Sequence, residues 1–403
     1  MMNKLLLSAM ALLFSALHIQ AQTISNAYDD GKPLGWGASV TGSNDENPIT
    51  VTNYTEFVNA CKVTTNKTIY VKGEISFSGS YSLNTSNKTI YGLPGSALVN
   101  TNRTDKSKTG ILTIKGNNII LRNLTFKSAG AYDIDGNDNI TVDGATNVWI
   151  DHCDIQDGVD GNLDVVNGAD KVCISWTRFR YLIAPLANGS GGSDDHRNCN
   201  LIGNSDKNAN EDTDKLRVTF KNCWWDEGCH ERCPRVRFGK VHIANCLFSS
   251  SVVSYCIGYG YKSNIYAEGN AFTSAKAKKT PWKNYATSGS YTDYNITTKD
   301  NLGVNEEIQA KSGSEDYWIP SNDYSMSVYD ASLVESVVGN EENGAGATLT
   351  INEGEAYTTG IETIAVETSL TNEDHAIYNQ AGQRVNSNYR GLVIKNGKKY
   401  IQK

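Results

Sequence analysis

Val218–Trp225 reads VTFKNCWW, Val241–Phe248 reads VHIANCLF, and four more runs follow the same template: IILRNLTF from Ile119, VWIDHCDI from Val148, VCISWTRF from Val172 and IYAEGNAF from Ile265. Apolar residues hold the first and third columns and the last, while the fifth holds Asn, His, Trp or Gly. The starts are 29, 24, 46, 23 and 24 residues apart, and the 46 reads as two periods with a longer excursion between. A repeat in the low twenties with one strong strand per unit suits a leucine-rich repeat or a parallel β-helix. Here Val, Ile and Phe alternate with polar residues and no helix follows each run, so the chain reads as an all-β solenoid, a parallel β-helix.

Coils of such a solenoid stack identical columns. Asn123, His152, Asn222 and Asn245 then become candidate rungs of a hydrogen-bonded ladder at a buried turn. Cys223 and Cys246 fall in one column on adjacent coils, where they pair or pack. On the strand through Trp224 and Trp225, one indole is expected to pack and the other to face sugar rings.

Outside the repeat, residues 1–22 carry Lys4, an apolar run and small Ala21 near the cut, the pattern of a secretory signal peptide. Later residues hold no apolar stretch long enough for a membrane span. TNYTEFVNACK predicts a short amphipathic helix over 52–62 that caps the open end of the solenoid. Residues 23–338 form the β-helix domain, with DYWIPSNDYSMSVYDASLVESVV lying along its outside. Residues 339–362, acidic and Gly-rich, read as a linker, and 363–403 as a small C-terminal β tail that resembles the sorting or attachment tails of exported Bacteroidetes proteins. The site of action is thus secreted or cell-surface. Nine cysteines in an exported chain permit disulfides, but the odd count leaves at least one thiol unpaired, and some are expected to be buried apolar packing.

A formal charge of -7 argues against nucleic acid as the partner. Against that background ERCPRVRFGKVH, 231–242, concentrates Arg232, Arg235 and Arg237 around Pro234. Two acidic groups precede neighbouring strands: Asp133, Asp135 and Asp138, then Asp157, Asp160 and Asp164. Asp138 and residues 160–164 are one period apart and stack as neighbours, and carboxylates so gathered call for a hard cation such as calcium. The arginines share that phase of the coil, so acids and arginines face one groove suited to an acidic polymer. Cys223, Cys229, His230 and Cys233 match no standard zinc spacing, and His152 reads as a core histidine.

Several ordered motifs, VWIDHCDI, DGNLD with VVNGADKVCIS, GGSDDHR with NLIGNSD, and RCPRVRFGKVHIANCLF, resemble the polysaccharide lyase family of pectate and pectin lyases, over about three quarters of the chain. The resemblance implies a right-handed parallel β-helix and eliminative cleavage of polygalacturonate by a monomer. It implies calcium ligands at Asp138, Asp160 and Asp164, the catalytic base at Arg232, and a substrate-carboxylate arginine at Arg237. Pectin lyases replace part of the acid site with arginine, so the three acids favour the calcium-dependent pectate branch. The alternatives are a calcium-independent pectin lyase and a non-catalytic β-helix that binds acidic glycans. One departure stands out: the region where the family carries a substrate-binding lysine reads WTRFRYLIAPLANG, leaving Arg178, Arg180 or a residue of SDDHR as stand-ins. Proton abstraction by Arg232 requires a neutral guanidine, which Arg235, Arg237 and calcium are expected to favour.

Overall fold

In the computed structural model, Ile119, Val148, Val172, Val218, Val241 and Ile265 are successive register partners in one parallel sheet, the alignment that the repeat predicts. The structure describes residues 28–353 except 288, and the backbone of four strands near the C-terminus. The signal peptide at 1–22 lies outside the described residues.

Each full coil contributes three strands, which build one sheet of eleven strands and two of eight. The first sheet holds the first four columns of the six runs. The second follows them with strands such as Asp154–Gln156, Arg178–Arg180 and Leu247–Phe248. The third includes Ile140–Asp143, Leu163–Val166, Leu201–Ile202, Arg235–Val236, Ile257–Tyr259 and Trp282–Asn284 in spatial order. This is a right-handed parallel β-helix.

The fifth column is the corner between the first and second sheets. Asn123, His152, Trp176, Asn222 and Asn245 all take left-handed backbone angles there, φ +45° to +59°. Asn tolerates that region best, because its short polar side chain bonds locally. Their side chains do not form one ladder. Asn123 Nδ2 donates to Gly92 O at 2.9 Å and Asn245 Nδ2 to Gly269 O at 2.9 Å, while Asn222 Oδ1 accepts from the Tyr329 hydroxyl. An asparagine pair does bridge coils elsewhere, Asn139 Nδ2 to Asn162 Oδ1 at 3.1 Å, ahead of the third sheet.

The 46-residue interval is not two periods. Val172 pairs directly with Val218, so it is one coil carrying long excursions at 181–200 and 203–217. Residues that leave the repeat and return at the same level cost little in loop closure, since that cost grows only logarithmically with length.

Inside, Phe179, Trp225, Phe248 and Phe272 stack coil on coil with centroid spacings of 5.7, 4.6 and 4.4 Å. Each such pair adds ~1 kcal/mol beyond its area burial. Trp225 is the inward indole. Trp224 is also covered, 7% exposed, beneath the Arg178 guanidinium and Val334, so it does not offer a face to sugar. All nine cysteines are free and buried; Cys223 N–H donates to Cys246 Sγ at 3.4 Å, so these two pack without pairing.

The capping helix spans Tyr54–Lys62 and buries Phe57, Ala60 and Cys61. Its N-cap is Asn53, whose Oδ1 accepts from Glu56 N, while Glu56 returns to Thr52 N at 2.9 Å, a reciprocal cap. At the other side, Val334–Val338 packs on Trp176, Trp224 and Leu247, as expected for an outer strap.

The strap continues past residue 339, where a linker was expected. Glu341 clasps Arg178, Gly346 N donates to Trp176 O, and Leu349 exchanges backbone bonds with the Asn123 side chain. Residues 339–353 are therefore part of the β-helix domain, and the rest of the expected linker lies outside the described residues. The chain divides into units 1–359 and 360–403; the second holds a four-stranded antiparallel sheet of Ile377–Asn379, Arg384–Val385, Gly391–Lys395 and Lys398–Gln402. Among the described residues no helix is long and apolar enough to cross a membrane.

Candidate active site

The outward face of the third sheet gathers the acids and arginines. Asp138 precedes the strand Ile140–Asp143, Asp164 lies on the next, and Thr141 is the register partner of Asp164. Asp138 Oδ2 accepts from the Thr141 hydroxyl at 3.0 Å, and Oδ1 is buried without a partner. Asp164 Oδ1 accepts from Leu201 N at 2.9 Å. A β-carbon on Gly161 would stand 2.6 Å from Asp138 Oδ1 and 3.5 Å from Asp164 Oδ1, so glycine there leaves room for the two carboxylates.

Burial pushes the Asp138 carboxyl well above the usual range, with Asp164 and Asp160 adding to it. Burial also lifts Asp164 to about 7, against the pull of Arg232. An orphaned buried oxygen among repelling carboxylates fits a hard cation with oxygen ligands.

Asp160 is half-buried, and its Oδ1 lies 3.0 Å from His196 Nε2; His196 Nδ1 lies 3.6 Å from Asp133 Oδ1. Ligand atoms of Asp133, Asp160 and His196 lie within 4.8 Å of one another. The loop from Tyr181 to Asn200 makes this arrangement. Asp157 Oδ1 accepts from Leu182 N and Ile183 N, Asp133 Oδ2 accepts from Ser193 N, and a β-carbon on Gly191 would collide with Asp133 at 1.9 Å. The sequence signalled Asp133 as one of an acidic group and SDDHR as a motif, but not their meeting at Asp160.

Arg232 stands half-buried in a left-handed conformation, φ +58°, one residue before Cys233 and its cis bond to Pro234. No hydrogen bond or ion pair within 4 Å holds its guanidinium among the described residues. Burial opposes its charge, yet Asp164, Asp160 and Asp138 outweigh this and hold it above the usual arginine range. These carboxylates favour the charged guanidinium, against the neutral form that Arg235, Arg237 and calcium are expected to favour.

Arg237 is fixed from behind: Nε donates to Asp206 Oδ1 at 2.8 Å and Nη1 to Gly203 O at 2.9 Å. Burial and Arg235 hold it below the usual range. Asp206, the anchor of Arg237, was not singled out from the sequence; it belongs to the NLIGNSD motif but carried no chemistry by itself.

Of the stand-ins for the lysine, Arg178 is tied to Asp226 and Glu341 and Arg180 to Asp154, all tied to the second sheet and its strap. His196 and Arg197 remain at the site, the latter paired with Asp195 at 2.6 Å.

A pectate lyase family profile matches residues 2–348. "Pectate lyase E" of Dickeya chrysanthemi is 30% identical over 321 residues, 68% of this chain and 79% of its own. "Probable pectate lyase B" of Aspergillus terreus is 34% identical over 223 residues, 53% of this chain, and the chain spans only 60% of that relative's length. A Bacillus subtilis pectate lyase R279K mutant shares the fold, with a TM-score of 0.61 at 24% identity over 80% of this chain and 99% of its own. With the acid and arginine motifs on one face of the same β-helix, the chain belongs to the pectate lyase family.

Proposed function

We propose that this protein is a calcium-dependent pectate lyase that cleaves polygalacturonate by elimination, outside the cytoplasm. The observation that carries the reading is the buried, unpartnered Oδ1 of Asp138 beside Asp164, on the same face as Arg232, whose guanidinium has no hydrogen-bond or ion-pair partner among the described residues. Asp138, Asp160 and Asp164 would hold the calcium ion, which supplies positive charge to a bound uronate carboxylate and offsets the carboxylates that keep Arg232 protonated.

The chain's own groups then divide the work. The C5 proton of a uronate becomes acidic only when charge developing on its C6 carboxylate is stabilised, and Arg237, held by Asp206 and Gly203, presents its remaining Nη2 to that carboxylate. Arg232, in its neutral form and without a hydrogen-bond or ion-pair partner among the described residues, takes the proton. The C4–O bond breaks, leaving a C4–C5 double bond on one fragment and a hydroxyl on the other once a proton is returned to the leaving oxygen. The leader at 1–22 supports export, and the tail unit is proposed to serve sorting or attachment.

The test is to incubate the protein with polygalacturonate and with methylated pectin, with calcium or chelator, and follow the absorbance of unsaturated uronate. Release from polygalacturonate that needs calcium is expected. Calcium-independent release from methylated pectin alone overturns the reading, as does an Arg232→Ala variant that turns over normally.

A further inference from the structure

Arg235 has no part in the scheme above, yet its surroundings are built. Its register partner on the next coil is Gly258, and that of Gly258 on the following coil is Lys283. All three point outward from the third sheet, because Val236 and Ile257 between them are fully buried in the core. Since Gly258 has no side chain, its neighbours close over it: a β-carbon there would meet Tyr255 at 2.9 Å, Tyr285 at 3.2 Å and Arg235 Cγ at 3.3 Å.

Two cations converge on this patch. The Arg235 guanidinium lies 4.0 Å from the Tyr285 ring centre, and Lys283 Nζ lies 4.9 Å from the same ring and 5.0 Å from that of Tyr255. Neither makes an ion pair with a described carboxylate, in a chain with more acids than bases. Arg235 Nε is buried without a partner. Ring faces hold cations in place and partly offset their mutual repulsion, but they do not use the N–H donors. An unsatisfied N–H on Arg235 and the solvent-facing ammonium of Lys283, two like charges drawn to one ring, are the complement of an anion.

The position fixes which anion. Strands of a β-helix repeat every ~4.8 Å, so Lys283 stands ~10 Å along the axis from Arg235, on the side away from Asp164. Arg237 borders the patch too: a β-carbon on Gly260 would touch Arg237 Cγ at 3.4 Å and Tyr285 Cβ at 3.9 Å. A linear acidic polymer that passes over the acids and Arg237 continues across this patch.

Resting on the proposed lyase reading, we propose that Arg235 and Lys283, held over Tyr255 and Tyr285, form a subsite for a second, unesterified uronate of the polymer, on the C-terminal side of Arg232. The carboxylate accepts from both cations. A methyl ester has no charge to offer, so this subsite disfavours esterified residues at one position in the chain.

The test compares Arg235→Gln, Lys283→Met and the double variant with the parent, at saturating calcium, on polygalacturonate and on partly methylated pectin. Circular dichroism checks that each is folded. KM for polygalacturonate is expected to rise about tenfold in the double variant, the loss of one charge-assisted contact, with kcat changed less. The rise should be smaller on methylated pectin. Gly258→Ala, which crowds the patch without removing charge, should raise KM in the same sense. A parent KM in the double variant overturns the subsite while leaving the lyase reading intact. If the parent releases no unsaturated product, binding of polygalacturonate by calorimetry still decides: weaker binding in the double variant supports the subsite, and equal binding overturns it.

Discussion

The backbone of Gly161 passes so close to Asp138 that a β-carbon would stand 2.6 Å from Oδ1. Gly161 is the residue that faces Asp138 on the next coil, three before Asp164. The space between the two carboxylates, where the proposed cation would bind, is thus opened by a missing side chain. Gly161→Ala should displace Asp138 and lower calcium affinity by about 10- to 100-fold, as displaced ligand support generally does. Calorimetric calcium titration measures it, and an unchanged affinity would place the cation elsewhere.

The raised carboxyls predict how stability depends on pH. Burial lifts Asp138 well above, and Asp164 to about 7 from, the ordinary value of 3.8. The folded state then binds more protons than the unfolded chain between these values, so this contribution is fully present below the unfolded pKa and is lost as pH rises through about 7. In chelator, the melting temperature should fall across that range by a few degrees. Calcium removes the repulsion by binding the charged forms, so the gap between calcium-loaded and chelated melts should widen with pH. A gap that narrows would contradict the assignment.

In the proposed reaction Asp206 would act only through Arg237, by the 2.8 Å bond to Nε. Asp206→Asn keeps the shape and loses the charge. We expect kcat/KM on polygalacturonate to fall about tenfold, the worth of a charge-assisted bond, while calcium affinity measured separately stays at the parent value. Equal losses in both would mean that the substitution disturbs the whole groove.

The nine thiols give a check on the fold itself. All are buried and unpaired, with burial pushing Cys61, Cys153 and Cys173 up to about 12. A thiol reagent should find essentially none in the native protein and all nine in denaturant without reductant. Fewer in denaturant would reveal disulfides.

Much of this molecule was legible in one dimension because a solenoid turns periodicity into contact. The spacing of Ile119, Val148, Val172, Val218, Val241 and Ile265 fixed their register, and the asparagine column marked a corner that needs left-handed residues. The common phase of Asp138, Asp164 and Arg232 followed from the same count. What left the repeat could not be counted. The 46-residue interval held one coil rather than two, and its excursion carried His196 to within 3.0 Å of Asp160. The strap at 339–353, read as a linker from its composition, is held by Asn123, Trp176 and Arg178 far earlier in the chain. Arg235 and Lys283 are 48 residues apart in sequence and reach the same Tyr285 ring across the space that Gly258 leaves. Sequence by itself determined the repeating backbone, whose contacts are set by a local period. Tertiary structure alone decided where loops, strap and unpaired cations come to rest, since those contacts depend on how particular side chains close over one another.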